Sequence, residues 1–260
     1  MLVLHQDIGK AIKPQINPNL NKADLASKFI STGRIEIQDF LDTPTAEHMH
    51  YFYNELYPQQ WWSASSVPAI YKNGNSNKEI YDEYNQGDRF QNTEANQAAI
   101  KIMYENAHKA NGEGRFAYFF YRSFNDHPRD CICQECQLTR FFSTPSFITL
   151  LNEITGNSLN ITAPFTIFTS KYSQGCFLNT HSDDMNGKLA FVYHLTKDWR
   201  PDYGGLFTAQ DKERNVLKTI VPGFNKFVCF RVGDYVTPHS VTQVAHNVYK
   251  SRMSLTGWYK

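Results

Sequence analysis

The first 160 residues mix helical and extended hydrophobic patterns. Over 22–31 (KADLASKFIS), Leu25, Phe29 and Ile30 fall on one side of a helix, with Asn21 as its cap and Gly33 as its stop. RIEIQDF (34–40) then switches to period two, with Ile35 and Ile37 set against Arg34, Glu36 and Gln38, and predicts a short strand. A second helix is expected over 44–56, with Thr43 and Pro44 at its cap and first-turn positions. Residues 58–90 are polar and turn-rich around Trp61 and Trp62. A third helix is expected over 93–110, up to the Asn111-Gly112 stop. An aromatic strand over 116–121 and a helix over 145–155, closing at Gly156, complete this region. From about residue 160 the pattern becomes short strands separated by Asn186-Gly187, Gly204-Gly205 and Pro222-Gly223. Helices followed by serial strands predict a mainly β fold with α elements, an antiparallel sandwich or jelly roll supported by N-terminal helices.

Composition narrows the class of protein. The chain has 260 residues, 41% of them hydrophobic and 20% charged, which suits one large domain with a real core and excludes global disorder. The expected division is a support region, 1–158, and a jelly-roll core, 159–260. A net charge of +1 offers no broad electrostatic footprint for nucleic acid or an anionic membrane. The aromatic share, 15%, favours sheet. Five cysteines, an odd number, with neither a secretory signal nor an apolar run of about 18 residues, give the expectation of a cytoplasmic protein with reduced thiols.

Chemistry concentrates in the last hundred residues. In His181-Ser182-Asp183, positions i and i+2 of an extended segment face the same way and can share one metal ion. His239 supplies a second imidazole downstream. Two histidines and one carboxylate form the facial triad that suits non-haem Fe(II) and leaves coordination positions open. By itself His-x-Asp is common, and a loop histidine bonded to a turn aspartate is the plain reading.

The order of the surrounding motifs is more specific. YSQGCFLNTHSD, YHLTKDW, GGLF, HSV and RMSLTGWY follow one another between Tyr172 and Tyr259. This series resembles the Fe(II)/2-oxoglutarate-dependent dioxygenase superfamily, in its prolyl-4-hydroxylase-like branch, over roughly residues 165–260. The resemblance implies a double-stranded β-helix (jelly roll, cupin-like) with His181, Asp183 and His239 as iron ligands and catalytic centre. It implies that Arg252 pairs with the distal carboxylate of 2-oxoglutarate and that Tyr172 contacts the same group. It implies Fe(II), 2-oxoglutarate and O2 as cofactor and co-substrates, with ascorbate as a reductant. The presence of Asp183 favours hydroxylation over halogenation. The implied substrate is a prolyl residue in a peptide or protein. A free amino or imino acid is the alternative, and a non-catalytic jelly-roll binding protein is a third reading.

Other residues keep open roles. His246 could replace His239, but a hairpin centred on Ala245-His246-Asn247 would leave it at the turn and bring His239 and Arg252 to one end. Lys188 could anchor the co-substrate in place of Arg252. His194 reads as a core residue or as one that supports the ligands. Phe116, Phe119 and Phe120 read as core. Arg122 could reach a substrate carboxylate, and Met185 and Trp199 could line the substrate side. His127, Cys131, Cys133 and Cys136 offer four zinc ligands on what reads as one short loop; reduced thiols are the default there.

Overall fold

In the computed structural model, the described residues are 13–55, 60–66, 89–123, 130–183, 186–232 and 238–260. Five α-helices are found among them: α1 (Lys22–Thr32), α2 (Thr43–Asn54), α3 (Gln97–Gly112), α4 (Gln134–Phe141) and α5 (Pro145–Ile154). The strands are β1 (Arg34–Ile37), β2 (Trp61–Ser65), β3 (Tyr118–Ser123), β4 (Pro164–Tyr172), β5 (Phe177–His181) and β6 (Leu189–His194). They continue with β7 (Phe207–Gln210), β8 (Val216–Ile220), β9 (Lys226–Arg231), β10 (His239–Val241) and β11 (Arg252–Tyr259). No helix among the described residues is long and apolar enough to cross a membrane.

Local chemistry explains most boundaries. The Asn21 side chain accepts from the Asp24 amide, and Gly33, at φ 69°, closes α1. Asp42, rather than Thr43, caps α2, because its carboxylate accepts the Thr45 amide at 3.0 Å. The first strand stops at Ile37, short of the expected Phe40, since Asp39 turns the chain at φ 51°. The third helix begins as a single 3₁₀ turn at Glu94–Asn96 and extends to Gly112. The aromatic strand runs two residues further than expected, to Ser123. Within the turn-rich stretch, β2 pairs with β3; residues 67–88 lie outside the described residues. Helix α4 was not expected: the cysteine segment is a loop only as far as Cys133, and Cys136 belongs to the helix.

The strands form one curled antiparallel sheet in the order β1-β9-β6-β11-β4-β3-β5-β10-β7-β8, with β2 added to β3. The curl brings β9 over β7 and β10: Phe230 packs on Phe207 at 5.3 Å and on His239 at 4.8 Å. Lys218 and Glu36, on the two outermost strands, form an ion pair at 3.1 Å. This is the expected double-stranded β-helix. Helices cover its outer face, where Phe29, Phe40, Met49, Phe147 and Ile154 pack on Phe191, Tyr193, Phe227 and Tyr259. Strand β6 is buried along its whole length, which explains its unbroken apolar run.

One expectation about connectivity is overturned. Strands β10 and β11 are not partners: β10 pairs with β5 and β7, and β11 with β4 and β6. The segment between them crosses from one side of the curl to the other. It is held by Gly205 N–H on Thr242 O (3.1 Å), Val244 N–H on Cys176 O (3.0 Å) and Ala245 N–H on Tyr203 O (3.0 Å). His239 and Arg252 therefore reach one cavity from opposing walls, not from the two arms of a hairpin.

Candidate active site

Alternation along the strands builds the site. From Arg252 the inward positions of β11 are Ser254, Thr256 and Trp258; from Tyr172 those of β4 are Ser170, Phe168 and Thr166. On β3 the inward side chains are Tyr118, Phe120 and Arg122. All of these line a cavity of about 470 Å³, together with His181, Asp183 and His239. On β5, Leu178 and His181 both face it although they are three apart. A register shift against β10, where His239 faces His181 but Val241 faces Leu178, accounts for this by re-aiming the end of the strand.

The expected triad comes together. Its ligand atoms all lie within 4.8 Å of one another. His239 Nε2 is 3.3 Å from Asp183 Oδ2, and His181 Nε2 is 3.6 Å from Asp183 Oδ1. His181 Nδ1 donates to the Asn179 carbonyl at 3.0 Å, which leaves the Nε2 lone pair turned toward the carboxylate. Burial, then the neighbouring His239, pushes His181 down to about 4, so its imidazole is neutral and able to ligate at neutral pH. Burial alone would raise the Asp183 carboxyl. The attraction of His239 and His181 and the His239 hydrogen bond outweigh it and hold the carboxyl below its ordinary range. Two imidazole nitrogens and one carboxylate oxygen, converging and nearly dry, could hold a divalent transition metal.

On the facing wall Arg252 stands directly across from Tyr172, its guanidinium 4.8 Å above the phenol ring. Arg252 is 2% exposed, and its Nε has no hydrogen-bond partner among the described residues. No carboxylate among the described residues pairs with it. Burial lowers its affinity for the proton, and Tyr172 opposes that. Ser170 and Ser254 share a hydrogen bond at 3.0 Å beside it. His194 lies across from Ser254, fully buried, with both ring nitrogens unpartnered among the described residues and with Arg252 among the charges acting on it. A buried arginine that no carboxylate among the described residues meets fits an anionic group that would come from outside the protein.

The remaining expectations divide. Trp199 does not line the cavity. Its indole packs by Tyr172 and Val244 in the neighbouring core and donates to Gly204 O at 2.9 Å, which holds the double-glycine bend. Both glycines have positive φ, and a Cβ on Gly204 would run into the Gln243 carbonyl. Phe119 and Phe120 are core, as expected, and Phe120 also lines the cavity, as does the half-buried Phe116. Lys188 is turned away, donating to Asn160 O at 3.1 Å. His246 bonds Gln243 at 3.0 Å and takes no part in the triad. Met185 and His127 lie outside the described residues. Cys131, Cys133 and Cys136 do gather, with sulfurs within 4.8 Å of one another at the start of α4, and could hold a soft metal ion. The sequence reading missed Ser254, Thr256 and Arg89 as cavity residues; counting in twos from Arg252 would have found the first two.

Comparison with known proteins agrees with this geometry. Residues 167–260 match the family model described as the 2OG-Fe(II) oxygenase superfamily, as the motifs implied. No curated protein matches the chain. Among solved structures, a Burkholderia pseudomallei oxidoreductase of the 2OG-Fe(II) oxygenase family aligns with a TM-score of 0.58 at 12% identity, over 95% of this chain and 93% of that one. A Pseudomonas putida prolyl-4-hydroxylase aligns with a TM-score of 0.52 at 15% identity, over 92% of this chain and 98% of that one. These likenesses establish the shared double-stranded β-helix.

Proposed function

We propose that this chain is an Fe(II)- and 2-oxoglutarate-dependent hydroxylase of aliphatic C–H bonds. The observation that carries this reading is one cavity in which a buried His-Asp-His cluster faces a buried arginine that no carboxylate among the described residues pairs. In this reading His181, Asp183 and His239 hold the iron. Arg252 and Tyr172 receive the distal carboxylate of 2-oxoglutarate, and a planar guanidinium fork suits a carboxylate. The bound iron supplies the chemistry that couples oxidative decarboxylation of 2-oxoglutarate by O2 to insertion of one oxygen atom into the substrate. The protein's share is to keep the His181 imidazole neutral, fix it through Asn179 and exclude water with Phe207, Phe230 and Trp258. Ascorbate would serve as a reductant.

A prolyl residue in a peptide or protein is the first substrate reading, in line with the prolyl-4-hydroxylase-like motifs. A free amino or imino acid is the second. The cavity volume favours it, since about 470 Å³ is the scale of a small-molecule site. The test is anaerobic addition of Fe(II) and then 2-oxoglutarate. A metal-to-ligand charge-transfer band, followed on aeration by succinate and a product heavier by one oxygen atom, supports the reading. Absence of both refutes it.

A further inference from the structure

The cavity holds more positive charge than iron and 2-oxoglutarate would use. Three arginines line it, Arg89, Arg122 and Arg252, and Asp183 is the sole carboxylate among its described lining residues. On the reading above, the metal, Asp183, the 2-oxoglutarate dianion and Arg252 neutralise one another. Arg89 and Arg122 are left over.

Arg122 is built into the wall. It sits at the inward end of β3, across from Ser170, which in turn faces Ser254 on β11. Its guanidinium stacks on the Phe168 ring at 4.1 Å, and its buried Nε has no hydrogen-bond partner among the described residues. Burial and the nearby Arg89 push it down to about 10, still well above neutrality, so it remains charged. Two cations that repel each other in a partly desolvated pocket are costly unless an anion joins them. The stacked face fixes the plane of the guanidinium and leaves its edge for a planar, bidentate partner. Phe116, Tyr118, Phe120 and Phe165 surround the pair with apolar surface. They would bury the carbon body of a ligand whose charged end meets the arginines.

We propose that Arg122, with Arg89, forms a carboxylate-binding subsite, and that the substrate is a small organic acid bearing a free carboxylate, such as an amino or imino acid. This rests on the hydroxylase reading for the identity of the reaction, but the subsite can be tested by binding alone. The same carboxylate could belong to a free acid or to the C-terminus of a peptide, and the experiment separates these sources.

The probe is a panel of the proteinogenic amino acids, their carboxamides, and short peptides with free or amidated C-termini. Binding to the full chain is followed by calorimetry, with and without Fe(II) and 2-oxoglutarate. The expected result is binding by one or more free carboxylates, at least tenfold weaker for the matching carboxamide. Arg122→Gln should weaken that binding at least tenfold, and Arg122→Lys should restore part of it, with the charge-transfer band of the iron site unchanged in both. A peptide with a free C-terminus binding as tightly as the free acid overturns the small-acid substrate and gives the subsite to a peptide end. Equal binding of acid and amide, no binder in the panel, or an Arg122→Gln variant that binds like the parent overturns the subsite. Loss of the iron band in the parent protein would instead refute the hydroxylase reading, and the acid–amide comparison would still decide the subsite.

Discussion

Arg252 and Tyr172 face each other across β11 and β4, with the guanidinium 4.8 Å above the phenol ring and no acidic partner among the described residues. A buried cation without an anion is an unfinished ion pair. Removing one partner of such a buried, hydrogen-bonded charge pair costs about 2–5 kcal/mol. Arg252→Gln should therefore weaken 2-oxoglutarate binding by at least roughly 30-fold. Arg252→Lys keeps the charge but loses the fork, and should fall in between. Titration of the anaerobic Fe(II) charge-transfer band with 2-oxoglutarate measures this. Unchanged half-saturation in Arg252→Gln would remove the arginine from the co-substrate site.

The triad makes a separate claim. Asp183→Ala and His239→Ala each delete one of three converging donors, and no other carboxylate or imidazole among the described residues joins that cluster. Both variants should lose substrate-coupled 2-oxoglutarate turnover and the charge-transfer band. His246→Ala should keep both, because His246 lies on Gln243 outside the cluster. Turnover in Asp183→Ala equal to the parent would refute the assignment.

Much of this site was legible in the sequence because it depends on short spacings. His-x-Asp and the period-two run from Arg252 encode which side chains share a face, and strands preserve that relation. The partner of each strand is not encoded locally. The turn chemistry of Ala245-His246-Asn247 suggested a hairpin, yet residues 242–245 are held by backbone groups of Tyr203, Leu206 and Cys176, all far away in sequence. Helix α4 was invisible for a similar reason. Of its residues only Cys136 and Leu138 are buried, and Cys133 caps it without a side-chain hydrogen bond, so neither periodicity nor a cap signals it. Trp199 lay within a family-like motif, and only the fold reveals that it braces Gly204 and does not line the cavity.

His194 gives the metal-free protein a pH-dependent stability. Burial, with Arg252 and Lys226 adding repulsion, holds its imidazole well below the ordinary value. A base whose folded pKa is depressed binds fewer protons in the native state than in the unfolded one. Its contribution is complete above about pH 6.5 and is lost as pH falls below that, at up to about 1.4 kcal/mol per pH unit. His181, pushed down to about 4, adds a similar loss between about pH 6.5 and 4. Urea unfolding in chelator at pH 7.5, 6.5 and 5.5 should show the midpoint dropping with pH. His194→Gln should flatten that trend, and a parallel decline in the variant would show that His194 takes up its proton as readily in the folded protein as in the unfolded chain.

Gly257 tests how tightly the central strand is packed. It lies on the face of β11 opposite the cavity, between its register partners Phe191 and Ile167. A Cβ there would sit 2.6 Å from Phe191 Cε1 and 2.8 Å from the Thr166 carbonyl oxygen. The aromatic side chain is packed against Phe142 and Phe227, each at 5.4 Å, and Tyr259 at 5.6 Å, and the carbonyl belongs to the sheet. Overpacking of this kind costs about 1–3 kcal/mol. In a chain of this size that corresponds to a fall in melting temperature of roughly 2–12 °C. Gly257→Ala should show it by calorimetry, while the anaerobic iron band stays intact because the cavity side of β11 is untouched. A melting temperature equal to the parent would mean that β11 and β6 can part to admit a methyl group, and that the sheet behind the site is softer than its packing implies.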